Sequence, residues 1–238
     1  MAGKSKIEWT EVTWNPITGC TKISEGCLNC YAEKMAKRLN AMGQDKYRNS
    51  FKVTLHPNCL NEPLNWKKPQ VIFVCSMSDL FHKNVPDEYI KQVFEVMNKA
   101  NWHTFQVLTK RSKRLAQLAP ELNWTDNIWM GVTVESQAQK HRISDLTKIP
   151  AKIKYLSVEP MITPIKPIPL KGINWVIVGG ESGPGSRPIK EDWITYIRDK
   201  CFDSKVPFFF KQWGGTNKKE AGCLLQGEHW KQYPILKQ

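Results

Sequence analysis

Short apolar runs recur along the chain, and polar residues follow each run directly. Runs of about five residues that are apolar at nearly every position are typical of strands buried on both faces, as in a parallel sheet. The pattern predicts six strands, at residues 71–75, 104–108, 128–132, 154–158, 174–178 and 207–210. Residues 12–17 are predicted as a first strand ahead of these six.

Amphipathic segments lie between the runs. The clearest apolar face consists of Ile90, Val93, Phe94 and Met97, after a helix start at Pro86-Asp87-Glu88. Similar patterns predict helices at 32–39, 112–118, 136–146 and 193–201. Strands that alternate with helices predict βαβ units and parallel strands. The number of units predicts an α/β fold of the (β/α) barrel type, TIM-like and partial or complete.

The domain organisation is predicted to be simple, with residues 1–238 forming a single barrel domain. Residues 40–70 contain His56-Pro57 and Glu62-Pro63, which oppose helix formation, and we interpret them as an irregular insertion. Residues 215–238 have little periodicity and are predicted to form a C-terminal extension. No run is long enough to span a bilayer, and no secretory apolar segment follows the first residues, so we expect a cytoplasmic protein.

Polar residues at the carboxyl ends of the predicted strands are the candidates for function, because (β/α) barrels place their sites there. Glu135, Glu159 and Glu181 each follow a strand and are candidate catalytic carboxylates for acid–base work. Alternatively, Glu135 and Glu159 pair with Lys110 or Arg111. The glycine-rich turn that begins at Gly179-Gly180 could cradle a phosphate with its N–H groups, or could be a tight turn that the topology requires.

Charge changes the picture by suggesting a partner. The chain has 35 Lys and Arg residues against 22 Asp and Glu residues, which gives a net charge of +13 at pH 7 and favours an anionic partner, with nucleic acid first. Four of the cations, which we predict to bind phosphate or nucleic acid, are Lys110, Arg111, Lys113 and Arg114. A solvated helix start is the alternative. Trp213 follows a strand and could stack on a base or on adenine, or pack in the core.

Three of the seven cysteines, Cys20, Cys27 and Cys30, have the spacing C-x6-C-x2-C. The odd total and the expected compartment indicate reduced thiols. Soft sulfur ligands suit either zinc or an iron–sulfur cluster. Zinc would need a fourth, distant ligand, for which the candidates are Cys59, Cys223, His56 and His229. A 4Fe–4S cluster on three cysteines leaves one iron open for a small molecule, which is the arrangement used in S-adenosylmethionine (SAM) radical chemistry.

The segment from Cys20 to Tyr31 resembles the cluster loop of radical SAM enzymes. More closely, Ile7–Cys20 and Glu25–Glu33 are similar to an uncharacterised, phage-associated three-cysteine family whose members resemble radical SAM proteins. Later motifs also resemble this family. They are Ser-Met-Ser-Asp79, Leu-Thr-Lys-Arg111, Gly-Val-Thr-Val-Glu135, Ser-Val-Glu-Pro160, Gly-Gly-Glu-Ser182 and Lys-Gln-Trp-Gly214. The resemblance therefore extends over nearly the whole chain, although its first cysteine gap is six residues where radical SAM proteins commonly have three.

The resemblance implies a cytoplasmic iron–sulfur enzyme that cleaves SAM in a bacterium or a phage-infected host. The substrate would be a nucleic acid, nucleotide or nucleoside, for modification or repair. Cys20, Cys27 and Cys30 would ligate the 4Fe–4S cluster, and Tyr31 would pack near SAM. The other residues expected to bind the cofactor are Ser76, Ser78 and Asp79 at the SAM amino group, Lys110 or Arg111 at its carboxylate, Glu135 at its ribose, and the displaced motif Gly179-Gly180-Glu181.

A second reading remains open. In it the protein is a non-catalytic nucleic-acid-binding or accessory phage protein, and the three cysteines hold a structural metal, with zinc as the less favoured ion. A genetically linked partner protein is compatible with either reading. The sequence does not determine the substrate or the oligomeric state.

Overall fold

The computed structural model describes residue 5 and residues 7–235, without the side chains of Lys218 and Lys219. The last three residues of the predicted C-terminal extension, 236–238, lie outside the described residues, as do the first four of the predicted domain. The described strands are β1 (Val12–Trp14), β2 (Ile17–Thr18), β3 (Thr54–Leu55), β4 (Val71–Val74), β5 (Thr104–Thr109), β6 (Ile128–Thr133), β7 (Ile153–Val158), β8 (Trp175–Gly179), β9 (Phe208–Gln212), β10 (Leu224–Leu225) and β11 (Glu228–His229).

Seven of these strands form the main sheet, in the order β1-β4-β5-β6-β7-β8-β9. Every main-sheet pair whose register is described is parallel: β1 with β4, β4 with β5, β7 with β8, and β8 with β9. The short pairs β2 with β3 and β10 with β11 are antiparallel and lie outside this sheet. The six predicted strands are confirmed, since each lies within one or two residues of the observed bounds.

The first predicted strand, at residues 12–17, is wrong in its extent. The chain instead forms β1 and then β2, with Asn15 and Pro16 between them. Pro16 has no backbone N–H to donate to a ladder, so a continuous strand is interrupted there. The break has a consequence for the cysteines, because it turns β2 away to pair with β3 and delivers the chain directly to Cys20.

The described helices are α1 (Tyr31–Ala41), α2 (Asp87–Lys99), α3 (Ser112–Leu118), α4 (His141–Thr147), α5 (Glu191–Asp203) and α6 (Lys218–Ala221). The predicted helix start at Pro86 is confirmed, since Pro86 is the N-cap of α2. The predicted helix at 136–146 begins too early, because residues 137–139 form a 3-10 turn ahead of α4. Within the described residues, none of the helices has both the length and the apolar character needed to cross a bilayer.

The chain forms two compact units, which we describe separately. The first consists of Met1–Ile23, Cys30–Met130 and Ile149–Lys152. The second consists of Ser24–Asn29, Gly131–Lys148 and Ile153–Gln238. The prediction of a single domain stays a prediction.

Apolar burial explains the elements of each unit. In the first unit, the predicted helix face on α2 is buried, with Ile90, Val93 and Met97 fully inaccessible to solvent. In the second unit, β8 is buried at all five positions, as expected for a parallel strand covered on both faces. The apolar material therefore fixes the strands, and the polar residues that follow them are held at the strand ends.

Residues 40–70 are irregular in the first unit, as the sequence predicts. They contain β3 and three 3-10 turns, at Asp45–Tyr47, Pro57–Cys59 and Glu62–Asn65. The indole N–H of Trp14 on β1 donates to the carbonyl of Cys59 at 2.8 Å, which joins this segment to the sheet.

Candidate functional site

Cys20 follows β2 at a tightly built turn in the first unit. Gly19 has a φ of 82°, and a Cβ there would lie 2.2 Å from the carbonyl oxygen of Lys52, so only glycine fits. The N–H of Gly19 donates to Met77 and that of Cys20 donates to Phe51, at 2.9 and 3.1 Å. The half-buried thiol of Cys20 is therefore carried on a backbone that is held on both sides.

The side chain of Arg111 contacts the Cys20 turn. Its Nη2 lies 3.6 Å from Cys20 Sγ, and it also donates to the carbonyl and the hydroxyl oxygens of Thr21, at 3.1 Å each. Its Nε–H is buried and has no hydrogen-bond partner among the described residues. The arginine thus places a positive charge beside the first cysteine and retains an unused donor.

Asp79 is linked to this arginine through hydrogen bonds. Its carboxylate is buried and accepts from the hydroxyl of Thr109 at 2.7 Å and from the N–H of Lys110 at 3.1 Å. The hydroxyl oxygen of Thr109 in turn accepts the N–H of Arg111 at 2.9 Å. The polar residues at the carboxyl ends of β4 and β5 are therefore joined in one network, and its last member is the arginine beside Cys20.

His82 holds Thr21 from another side. This imidazole is fully buried, its Nδ1 accepts the N–H of Asn84 at 3.1 Å, and its Nε2 lies 2.8 Å from the hydroxyl of Thr21. Since Nδ1 accepts, Nε2 carries the proton and donates to Thr21. Burial and the nearby Arg111 charge lower the pKa of His82, which keeps the ring neutral. Sequence reasoning missed Thr21, because nothing in its neighbours marks it as a contact of an arginine 90 positions away.

Ser76, Ser78 and Tyr31, which were predicted to bind SAM, make contacts within the first unit. The hydroxyl of Ser76 donates to the side chain of Asn15 at 3.2 Å, and that of Ser78 donates to the carbonyl of Ile17 at 2.9 Å. The phenol of Tyr31 donates to the carbonyl of Ser76 at 2.6 Å. These bonds hold the turn after β4 against the chain that leads to Cys20, and a role in SAM binding stays a prediction.

Cys30 is the N-cap residue of α1 in the first unit. The positive end of a helix dipole lowers the free energy of a nearby anion, so a metal-bound thiolate would be stabilised at this position. The carbonyl of Cys30 accepts the N–H of Lys34, which fixes the residue to the first helical turn.

Cys27 lies in the second unit, at the end of the 3-10 turn Glu25–Cys27. Ser24 precedes this turn, and its hydroxyl lies 3.8 Å from Cys27 Sγ and donates to Glu135. The side-chain amide of Asn29 follows the turn and donates to Glu181 at 3.0 Å. Both ends of the short segment that carries Cys27 are thus bonded to carboxylates that follow strands.

Glu135 is fully buried beside this segment. Its second oxygen accepts from Arg142 at 2.8 Å, and only 3% of the Arg142 side chain is exposed. A Cβ on Gly26 would lie 3.0 Å from the Glu135 carboxyl carbon, so the turn packs directly on the carboxylate. The interpretation that Glu135 pairs with Lys110 or Arg111 is wrong, because Arg142 of α4 is its ion-pair partner.

Glu181 forms a second buried ion pair in this unit. Arg187 donates to it through Nη2, through Nε at 2.9 Å and through its backbone N–H at 3.0 Å. Burial by itself would raise the pKa of Glu181, but the hydrogen bonds from Arg187 and Asn29 outweigh it and lower the pKa to about 2. Arg187 also donates to the carbonyl of Glu25 at 3.1 Å, so this ion pair holds the same segment.

Glu159 pairs with Lys211 at 3.1 Å, so the interpretation that it pairs with Lys110 or Arg111 is also wrong. A Cβ on Gly179 would lie 2.8 Å from the Oε1 atom of Glu159. A Cβ on Gly180 would lie 1.8 Å from the carbonyl oxygen of Trp213. This approach favours the interpretation of the glycine-rich turn as one that the topology requires.

Trp213 is half-buried by its own unit. Its ring packs edge-on against Phe210 with centroids 5.1 Å apart, and its N–H donates to the carbonyl of Leu224 at 2.7 Å. These contacts favour the alternative in which Trp213 packs within the protein. Stacking of Trp213 on a base or on adenine stays a prediction.

The four predicted phosphate-binding cations differ in what they contact. Arg114 donates to the carbonyls of His82 and Val85 and to the carboxylate of Asp87, and Arg111 is bonded at the Cys20 turn. Lys113 is exposed and Lys110 is half-buried. Both guanidinium groups therefore have partners within the protein, and phosphate binding by these four cations stays a prediction.

Sequence comparison decides the family of this chain. The model of the family described as Protein of unknown function (DUF5131) matches residues 4–234. The chain belongs to this family. No curated protein matches this DUF5131 chain in sequence.

Solved structures of spore photoproduct lyase are similar to this DUF5131 member in fold. A variant with bound AdoMet and dinucleoside spore photoproduct is 11% identical, with a TM-score of 0.52, and a second variant with dinucleoside spore photoproduct is 11% identical, with a TM-score of 0.54. Each match covers 84% of this chain and 63% of the lyase chain, so the DUF5131 member spans less than two thirds of its length. At this identity the likeness shows the fold alone. It confirms the predicted fold class, an α/β fold of the partial (β/α) barrel type found in radical SAM proteins, and the phage association stays a prediction.

The residues of this DUF5131 member fit an iron–sulfur cluster by the chemistry of their donors. Cys20, Cys27 and Cys30 are half-buried thiols outside any disulfide, and the buried Nε–H of Arg111 has no acceptor among the described residues, where a negatively charged cluster would supply one. In the described part of the chain, no three side chains of His, Cys, Asp or Glu are grouped so that they could hold one metal ion. A cluster does not need such convergence, because each thiolate binds a different iron.

The distant residues considered as a fourth zinc ligand have other contacts. Cys59 is buried and lies 3.4 Å from the ammonium of Lys46, and His56 bonds the hydroxyl of Thr18. Cys223 and His229 approach each other at 3.4 Å in the second unit. A zinc site at the three cysteines stays a prediction.

Proposed function

We propose that this protein is a radical SAM enzyme that holds a 4Fe–4S cluster on Cys20, Cys27 and Cys30 and acts on a nucleic acid, nucleotide or nucleoside. The observation that carries the proposal is that three half-buried cysteines lie within eleven residues of a chain with a radical-SAM-like fold. Spore photoproduct lyase, which shares that fold, has been solved with bound AdoMet and a dinucleoside photoproduct. This supports both the cofactor and the class of substrate.

When bound, a 4Fe–4S cluster with an open iron supplies the electron that breaks a C–S bond of SAM. The residues of this chain prepare the thiolates that ligate it. Arg111 places a positive charge at Cys20, and the start of α1 does the same at Cys30. Each would stabilise the negative charge of an iron-bound thiolate.

The carboxylates of the second unit orient the remaining cysteine. Glu135 accepts from Ser24 before Cys27, and Glu181 accepts from Asn29 after it. Each carboxylate is neutralised by a buried or half-buried arginine, so neither leaves an uncompensated charge. We infer that these two glutamates position the Cys27 segment, and that acid–base chemistry belongs to neither of them in this state.

The charge of the chain supports a polyanionic substrate. A net charge of +13 at pH 7 attracts nucleic acid over a Debye length of about 10 Å at moderate salt. Lys113 is exposed in the run that follows β5, where it is available to a phosphate. The substrate reading therefore rests on charge and on the lyase likeness together.

The experiment is a SAM cleavage assay on protein reconstituted anaerobically with iron and sulfide and then reduced with dithionite. We expect wild-type protein and the control variant Cys223→Ala to release 5′-deoxyadenosine, and Cys27→Ala to release none. A short DNA oligonucleotide should increase the release. An iron-loaded wild-type protein that releases no 5′-deoxyadenosine contradicts the enzyme proposal, and a zinc-loaded, colourless protein favours the accessory reading instead.

A further inference from the structure

We propose that Arg111 sets the reduction potential of the cluster through its hydrogen bond to the sulfur of Cys20. The inference rests on the proposed function, because it requires that Cys20 ligates the cluster. It assigns to Arg111 the role of a positioning residue that acts through a ligand, whereas the radical SAM resemblance implies that Lys110 or Arg111 binds the SAM carboxylate.

The contact is a charge-assisted one. Arg111 Nη2 lies 3.6 Å from Cys20 Sγ, within the range of an N–H···S hydrogen bond. The same nitrogen donates to both oxygens of Thr21, so the guanidinium lies across two successive residues of the turn. An arginine cannot lose its proton at ordinary pH, so the positive charge at this sulfur is permanent.

The arginine is held in place from both directions. Its N–H is bonded to Thr109, whose hydroxyl is bonded to the buried Asp79. The neutral His82 donates to the hydroxyl of Thr21 and so fixes the residue to which the Arg111 guanidinium is hydrogen-bonded. A donor that is fixed before the ligand binds loses little freedom on binding, and its effect on the ligand is correspondingly larger.

A second observation points to a ligand at the same guanidinium. The Nε–H of Arg111 is buried, and no acceptor among the described residues reaches it. Buried donors almost always have a partner, so an orphaned one beside a cysteine indicates an acceptor that binds there. A cluster brings negatively charged sulfur to that place, which suits a guanidinium donor.

The consequence follows from electrostatics. Reduction adds one negative charge to the cluster, and a fixed positive charge at a ligand sulfur stabilises the reduced form more than the oxidised form. Hydrogen bonds to cluster sulfurs act in the same direction. Arg111 should therefore raise the reduction potential, which makes the cluster easier to reduce by a cellular donor.

The experiment compares wild-type protein with Arg111→Met, Arg111→Lys and the control Lys113→Met, all reconstituted anaerobically. Lys113 is exposed and lies two residues after Arg111, so Lys113→Met removes one positive charge close to Arg111 in sequence. Iron content is measured first. The midpoint potential of the cluster is then measured by redox titration, in which EPR detects the reduced form. We expect Arg111→Met to make reduction about tenfold less favourable, a fall of about 59 mV for a one-electron couple. Arg111→Lys should fall between wild type and Arg111→Met, and Lys113→Met should match wild type.

The outcomes separate the two proposals. Equal potentials for wild type and Arg111→Met, or an equal fall in Lys113→Met, overturn the role of Arg111 and leave the cluster in place. If Arg111→Met binds no iron, Arg111→Gln, which also lacks the positive charge, is titrated in its place, and the wild-type potential in that variant overturns the inference. A wild-type protein without a cluster overturns the proposed function itself.

Discussion

Glu135 has no exposed surface, and both of its carboxylate oxygens are engaged, one by Ser24 and one by Arg142. A carboxylate in this state acts as an anchor for the chain around it. Its position after a strand was predictable from the sequence, since β6 is apolar at nearly every residue before it. Its partner was not, because α4 begins at His141, later than the apolar pattern indicates, and the start of the helix decides where Arg142 points.

The buried pair predicts a large effect on stability. Arg142→Leu removes the ion-pair partner of a fully buried carboxylate, and we expect it to lower the free energy of unfolding by about 3–5 kcal/mol. The matched control is Lys152→Leu, which breaks the exposed pair with Asp126 and should cost no more than about 1 kcal/mol. Urea unfolding measures both variants, and an Arg142→Leu loss as small as the control's contradicts the assigned anchor role.

Glu181 predicts a pH dependence. Its pKa is lowered to about 2 in the folded chain, so the unfolded chain takes up its proton first as the pH falls. The stabilisation is fully present above the ordinary glutamate pKa and is lost as the pH falls from about 4.5 toward about 2.

The measurement is the difference in the free energy of unfolding between wild type and Glu181→Gln, taken by urea titration at pH 7 and pH 3. We expect the difference to shrink at the lower pH. Glu95→Gln, which removes an exposed carboxylate from α2, should change stability by less than about 0.5 kcal/mol at either pH. A Glu181→Gln difference that is constant with pH contradicts the ion-paired state.

At the scale of the elements, apolar periodicity predicted most of the structure because burial on two faces leaves a clear pattern. The helix at Ser112–Leu118 was predicted with its observed bounds, and the strand before it within one residue. The pattern failed where backbone chemistry overrides it. Pro16 divides the first strand, and the 3-10 turn at Gln137–Gln139 delays α4. Neither feature changes the hydrophobic period, so neither is visible to it.

The turn after β8 gives a test at this scale. Gly180→Ala would place a Cβ 1.8 Å from the carbonyl oxygen of Trp213, which is backbone and cannot move aside cheaply. We expect a loss of about 3 kcal/mol or more in the free energy of unfolding. Gly222→Ala is the control, because it meets nothing within 4 Å and carries only the strain of its φ of 69°, about 1–2 kcal/mol. Equal losses would mean that the β8 turn is not closed by Trp213.

At the scale of the whole molecule, the sequence predicted the fold class because strand number and alternation are enough to define a parallel α/β arrangement. It placed the three cysteines together because they are close in the chain. It could not supply the side chains that surround them, since Arg111, Glu135 and Glu181 come from distant positions. Three residues that were predicted as binding or catalytic groups contact the cysteine-bearing segments, and their roles at SAM or substrate stay predictions.

The most direct test of the central claim is the iron and acid-labile sulfide content of the anaerobically reconstituted protein, measured together with its absorbance near 400 nm. We expect about four irons and four sulfides per wild-type chain. Cys20→Ala, Cys27→Ala and Cys30→Ala should each lose them, and Cys223→Ala, a half-buried cysteine outside the loop, should retain them. A wild-type chain that binds zinc without sulfide, or a Cys27→Ala chain that keeps a full cluster, would contradict the account.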